Sequence, residues 1–112
     1  MAVEQNIAFY VGEDITLDDT IYEDGAPATI SSWQITCIVK NSAGTTVLTY
    51  TVGTGILVST SPIARIIIPR ADTKSLTPGQ YDYEVCRTDS GENAVLTIGK
   101  LTLRARVYPA AA

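Results

Sequence analysis

Alternation of apolar and polar residues with a period of two is the feature that most restricts what this chain can fold into. Nearly every apolar stretch shows it between Gly, Pro, Asp or Asn residues, and no eleven-residue window carries the i, i+3, i+4, i+7 stripe of an amphipathic helix. The pattern predicts an all-β chain with strands at residues 7–11, 15–22, 33–41, 45–52, 63–69, 80–88 and 94–107. About seven short strands in 112 residues favour an antiparallel β-sandwich.

The length of the chain limits the number of domains that it can form, and its charge limits the partners that it can bind. A chain of 112 residues can build one hydrophobic core, so we expect a single domain over residues 1–112 with a frayed tail at 109–112. The net charge of −4 makes nucleic acid and anionic membranes poor partners. Because the sequence shows no apolar run of about 18 residues and no signal peptide, we expect no membrane span and synthesis in the cytoplasm.

The segment "LTPGQYDYEV" (76–85) predicts a turn that leads into a strand. Tyr81 is placed to close a tyrosine corner, in which its hydroxyl bonds the chain a few residues upstream. A single helical turn just before this segment would have Asp72 as its N-cap. The predicted structural motif comprises Leu76, Pro78, Gly79, Tyr81 and Tyr83, together with a buried Trp33.

Cys37 and Cys86 are predicted to be free thiols. Cys37 lies in phase with Trp33 on the inward side of its strand, whereas Cys86 follows Tyr81 and Tyr83 by odd steps and should point away from the core. A disulfide needs Cβ atoms within about 4.5 Å of each other, which side chains on opposite faces do not meet. We therefore expect no disulfide of the immunoglobulin type.

Residues that carry chemistry are few, and we expect neither catalysis nor a cofactor. The chain has no His, which removes His-based triads and most zinc sites. One acidic cluster fits a solvated strand edge, a calcium site or paired catalytic carboxylates, and its spacing does not match an EF-hand loop. The cluster consists of Glu13, Asp14, Asp18, Asp19, Glu23 and Asp24.

Some exposed side chains point instead to binding. Ile38, Ile67 and Ile98 fall on the outward phase of their strands, and exposed apolar residues mark interaction sites, so we take them as the candidate interface. Tyr22 and Tyr50 are the aromatic residues that could stack on a sugar.

The sequence "GILVSTSPIARIIIPRADTKSLTPGQYDYEV" (55–85), followed by "SGENAVLTIGKLTL" (90–103), resembles immunoglobulin-like domains of tailed-bacteriophage structural proteins. These include the N-terminal domain of the baseplate upper protein and small stand-alone phage virion proteins. The resemblance implies an immunoglobulin-like sandwich without catalytic residues, built into a tail, baseplate, neck or capsid decoration. Its partners would be other virion proteins and further copies of itself. The alternative is a carbohydrate- or cell-surface-binding sandwich module.

Overall fold

Short strands joined by turns make up the chain in the computed structural model, which describes residues 3–23, 25–89 and 93–105. The strands are β1 (Val3–Glu4), β2 (Ile7–Tyr10), β3 (Ile15–Thr20), β4 (Tyr22–Glu23), β5 (Ala26–Pro27), β6 (Ile35–Lys40), β7 (Thr46–Val52), β8 (Gly55–Thr60), β9 (Ile63–Ile68), β10 (Gly79–Arg87) and β11 (Ala94–Arg104). One helical turn, α1 (Arg70–Thr73), lies between β9 and β10. The prediction of an all-β chain is confirmed.

Nine of the described strands form one continuous hydrogen-bonded sheet that curls into a nearly closed, barrel-like sandwich. The strand order is β1-β11-β10-β6-β7-β8-β9-β3, and β2 also pairs with β11. We call β6, β7, β10 and β11 the first half and β3, β8 and β9 the second half. A short parallel pairing of β7 with β8, from Thr51↔Gly55 to Val52↔Ile56, joins the two halves.

The predicted strands recur, with the short β1 and β5 as additions that were not predicted and with two further differences. The predicted strand at 15–22 is divided, because β3 ends at Thr20 and Tyr22 begins β4, which pairs with β5. Strand β8 was not predicted, because the glycine-rich sequence before it is typical of a loop; Gly53 and Gly55 indeed have φ of 88° and 96°. The predicted tail at 109–112 lies outside the described residues.

The core lies between the two halves and contains most of the side chains that alternation assigned to it. Buried residues alternate along β6, β9 and the middle of β10, and β11 adds Leu101 and Leu103. Ala105, which is in phase with these two leucines, is exposed. Trp33 is also buried, and the Arg87 guanidinium lies 3.9 Å from the centre of its ring. The core thus consists of two inward-facing sets of strand residues, as in sandwiches generally.

The turn between β9 and β10 is fixed by two tyrosine hydroxyls. Tyr81 donates a hydrogen bond to the Thr77 carbonyl at 2.6 Å, four residues upstream, which is the geometry of a tyrosine corner. The Tyr50 hydroxyl donates to Asp72 Oδ2 at 2.7 Å. The expected role of Asp72 as an N-cap is wrong, because the N-cap position of α1 is Pro69 and Asp72 lies inside the turn.

A buried hydrogen bond connects the two halves at Asp19 and Thr97. Thr97 Oγ1 of β11 donates to Asp19 Oδ2 of β3 at 2.6 Å, and both residues are buried. Burial raises the pKa of the Asp19 carboxyl above its ordinary value, and the hydrogen bond from Thr97 offsets part of that rise. Asp19 is therefore a core residue and not part of a solvated acidic edge.

A second constraint lies where the N-terminal strands cross Gly99. The Tyr83 hydroxyl donates to the Gln5 carbonyl oxygen at 2.5 Å, and the Gln5 amide donates to the Ile98 carbonyl at 2.9 Å. A Cβ placed on Gly99 would lie only 1.9 Å from the Gln5 carbonyl oxygen. Glycine is thus required at this position for the chain to pass.

Replacing Asp19 with Asn should stabilise the protein at neutral pH. The folded state binds the Asp19 proton more tightly than the unfolded state, so the stabilising contribution is complete below the unfolded pKa and is lost as the pH rises through the folded pKa. Asp19→Asn removes the buried charge and keeps an oxygen acceptor for Thr97. We expect a gain on the order of 1 kcal/mol in the free energy of unfolding at neutral pH, measured by urea titration over a pH series.

The matched control is Asp18→Asn, one residue along the same strand. Asp18 is exposed, and Arg65 lowers the pKa of its carboxyl, so the wild type should gain stability over this variant as the pH rises. If the gain in the free energy of unfolding of Asp19→Asn over the wild type does not grow as the pH rises, the claim that the buried Asp19 charge costs stability is contradicted.

Replacing Gly99 with Ala should release the N-terminal strands from β11. The added methyl group excludes the Gln5 carbonyl, and we expect a loss of about 1–3 kcal/mol, the usual cost of overpacking. Hydrogen exchange would show faster exchange of the Lys100 and Val11 amides, which are bonded to Asn6 Oδ1 and the Arg104 carbonyl. Lys100→Ala, which removes only an exposed ion pair with Asp82, should leave these amides protected; equal exchange in both variants would refute the claim.

Candidate interaction surface

The outward side chains of β6, β10 and β11 form a surface in three cross-strand rows. We call it the β10 face, after its middle strand. The register places one residue of each strand in each row: Ile38, Glu84 and Ile98; Thr36, Cys86 and Val95; Lys40, Asp82 and Lys100. Residues opposite each other on adjacent strands are in contact range, so each row acts as a unit.

Apolar side chains occupy two of these rows. Ile98 and Val95 are 42% and 38% exposed, and Ile38 is half-buried. Ile38 and Ile98 lie on either side of Glu84 in the same row. The β10 face therefore exposes apolar side chains of its two outer strands, on either side of Glu84.

The three isoleucines of the predicted interface do not share one surface. Ile67 is 39% exposed, but it lies on β9 in the second half, on the side of the sandwich opposite to Ile38 and Ile98. Leu57 of β8, which is 49% exposed, accompanies it on the second half. The structure thus brings Ile38 and Ile98 together and separates Ile67 from them.

Leu57 and Val95 are exposed apolar residues that the sequence pattern did not predict, each for a physical reason. Leu57 lies on β8, a strand that was not predicted. Val95 should face inward by strict alternation from Leu101, but the register shifts between Val85 and Cys86, so Val95 pairs with Cys86 on the outer side. A β-bulge reverses the facing of every residue beyond it, and this signal is not visible in the apolar pattern.

Charged groups lie between and beside these apolar side chains. Lys100 Nζ and Asp82 Oδ1 form an exposed ion pair at 2.5 Å, whereas Lys40, Glu84 and Glu4 have no ion-pair partner within the described ranges. Together with Gly99 these residues line a shallow depression of about 360 Å³. Five of its nine lining residues are charged, unlike the mostly apolar pockets that hold small molecules.

Both cysteines are free, and they face opposite sides of the sheet. Cys37 is buried, which raises the pKa of its thiol to about 12, with smaller contributions from Asp19 and Cys86. Cys86 Sγ lies on the outer side at 3.2 Å from Glu84 Oε1, and burial followed by the Glu84 carboxylate raises its thiol pKa to about 11. Neither thiol ionises at neutral pH, so neither is an activated nucleophile.

The acidic cluster is dispersed over several separate contacts. Asp18 accepts two hydrogen bonds from Arg65, at 2.8 and 3.1 Å, and Asp14 accepts one from the Arg70 amide at 2.9 Å. Asp19 points into the core, as described above. The Glu23 side chain and Asp24 lie outside the described residues. Among the described residues, no three Asp, Glu or Cys side chains converge as metal ligands would.

The two candidate sugar-stacking tyrosines have different environments. Tyr22 is 61% exposed, whereas Tyr50 is buried and bonded to Asp72. Burial, followed by this hydrogen bond, raises the pKa of the Tyr50 hydroxyl above its ordinary value. Tyr50 therefore serves packing and cannot present its ring to a sugar.

The sequence matches no protein-family model and no curated protein. In the described part of the chain, no helix is long and apolar enough to cross a membrane.

Proposed function

We propose that this protein is an immunoglobulin-like, non-enzymatic structural component of a phage or prophage particle that binds neighbouring virion proteins. The strand order supports the immunoglobulin-like assignment. In one half β9 pairs with both β8 and β3, and in the other β11, β10, β6 and β7 follow one another, with β2 parallel to β11. The tyrosine corner at Tyr81 adds to that support.

The observation that carries the binding function is the set of exposed apolar side chains on the β10 face. Ile98 and Val95 are exposed there, Ile38 is half-buried, and charged residues lie among them. Exposed apolar side chains interspersed with charged ones are typical of protein–protein interfaces. The depression on this face is lined mostly by charged residues, which suits a protein partner better than a small molecule, whose pockets are mostly apolar.

Resemblance to tailed-phage structural domains supports the choice of partner. The resembling segments, 55–85 and 90–103, include β8 to β11 and thus two of the three strands of the β10 face. We infer that the partner is another virion protein, in a tail, baseplate, neck or capsid decoration.

Ile98→Lys should weaken incorporation into particles about tenfold, because truncating or charging one central interface residue commonly costs more than 1 kcal/mol. Lys at this position lies opposite Glu84, so the two charges attract and the fold is kept. The measurement is the amount of tagged protein in particles purified on density gradients, compared with wild type.

Ile67→Lys is the matched control, since Ile67 has nearly the same exposure as Ile98 but lies on the second half. It should enter particles at the wild-type level. The proposal fails if the wild-type protein is absent from particle fractions and stays monomeric in sedimentation velocity, and the β10 face is excluded if both variants enter particles as the wild type does.

A further inference from the structure

The N-terminal strands pair with a single strand of the sandwich, and their Ile7 and Phe9 side chains pack against its core. Residues 3–10, which we call the arm, pair in parallel with β11 from Val3↔Thr97 to Tyr10↔Arg104. Within the described ranges the arm pairs with no other strand. It is therefore a peptide bound along one edge, joined to the rest of the chain by residues 11–14.

The binding site for the arm is specific in its register. Gly99 leaves the space into which the Gln5 carbonyl fits, and the Tyr83 hydroxyl donates to that carbonyl. On the other side of the same position, the Lys100 amide donates to Asn6 Oδ1 at 2.9 Å. A peptide shifted by one residue would lose these contacts and would meet Gly99 with the wrong group.

The opposite end of the sheet does not suit pairing between copies. Strand β3 ends the strand order and presents Thr16, Asp18 and Thr20 on its exposed side. Antiparallel pairing of two β3 strands that opposes Thr16 with Thr20 also sets the two Asp18 carboxylates opposite each other. Each Asp18 is ion-paired with Arg65 of its own chain, so this pairing would bring two charged groups of each copy together, and charged edges discourage such pairing.

Exchange of the arm would preserve its pairing with β11 and its contacts with Tyr83 and Lys100. A second copy carries the same arm and the same site on β11, so both copies gain identical hydrogen bonds when their arms cross over. The connection at residues 11–14, where Gly12 has φ of 77°, has to open, and the hydrogen bonds between Tyr10 and Glu13 are lost. Short connections of this kind favour exchange between copies.

We propose that residues 3–10 exchange between two copies of this protein, each arm docking on β11 of the other copy. The proposal rests on the proposed function and names a second copy as one of the partners. The docked arm also borders the β10 face, because Glu4 pairs with Ile98 and lines its depression. Exchange thus joins two copies beside the surface that binds other virion proteins.

Disulfide trapping tests the exchange with partners that each carry one accessible cysteine beside the buried Cys37. Ala8 and Thr102 are register partners on the arm and β11, so Ala8→Cys and Thr102→Cys are made in separate chains that also carry Cys86→Ser. The two chains, one of them tagged, are refolded together and oxidised. We expect about tenfold more covalent heterodimer than in a mixture of Ala8→Cys with Thr49→Cys, which is exposed on β7, because docked thiols have a high effective concentration.

A chain carrying both Ala8→Cys and Thr102→Cys, refolded at low concentration and oxidised, should hold its own arm and no longer form the dimer. Equal heterodimer yields in the two mixtures, or full dimerisation of the internally cross-linked chain, would overturn arm exchange. If the wild-type protein enters particles but no heterodimer is trapped, arm exchange is refuted and the proposed function stands. If the heterodimer is trapped but no protein is found in particles, the proposed function is refuted and arm exchange stands.

Discussion

The hydrogen bond between Asp19 and Thr97 is the constraint that ties the last strand of the sheet to β11 across the core. The sheet is one continuous path of strands, β3 is its last member, and β11 lies next to the other end. A bond between these two strands holds the curled sheet shut across its interior. It does so with a carboxylate in a place that favours apolar groups, since burial raises the Asp19 pKa. The same carboxylate helps to raise the thiol pKa of Cys37, so its charge influences the centre of the core.

The two ends of the sheet are protected from pairing with further strands in different ways. At one end the arm covers β11, and the missing side chain of Gly99 allows the Gln5 carbonyl to reach Tyr83. At the other end β3 has no covering strand among the described residues, and the Asp18–Arg65 ion pair lies on its exposed side. One edge is thus built to accept a strand of defined sequence and the other to reject strands in general.

The sequence predicts features that are local to one strand better than features that depend on two strands together. Alternation in β6 and β10 predicted which side chains are buried there, and the odd step from Tyr81 to Cys86 placed that thiol on the outer side. Alternation failed for Val95, because the bulge opposite Cys86 is a property of two strands together. Asp19 lies in phase with the buried Ile15 and Leu17, but an acidic side chain usually indicates an exposed position. Its partner Thr97 is 78 residues away, so the sequence pattern does not show the buried hydrogen bond. The candidate site was found in part, since Ile38 and Ile98 meet only through the pairing of β10 with both neighbours.

The position of Glu84 indicates that the arm and the β10 face bind different partners. A two-fold axis passing over the middle strand would set the Glu84 carboxylates of two copies against each other between their isoleucines, which disfavours packing of identical β10 faces. A different protein that presents a basic group between apolar side chains would satisfy Glu84 and cover Ile38 and Ile98 at once. Identical copies would then be joined through the arm, whose contacts are set by Gly99 and Tyr83, while the β10 face stays free for another component of the particle.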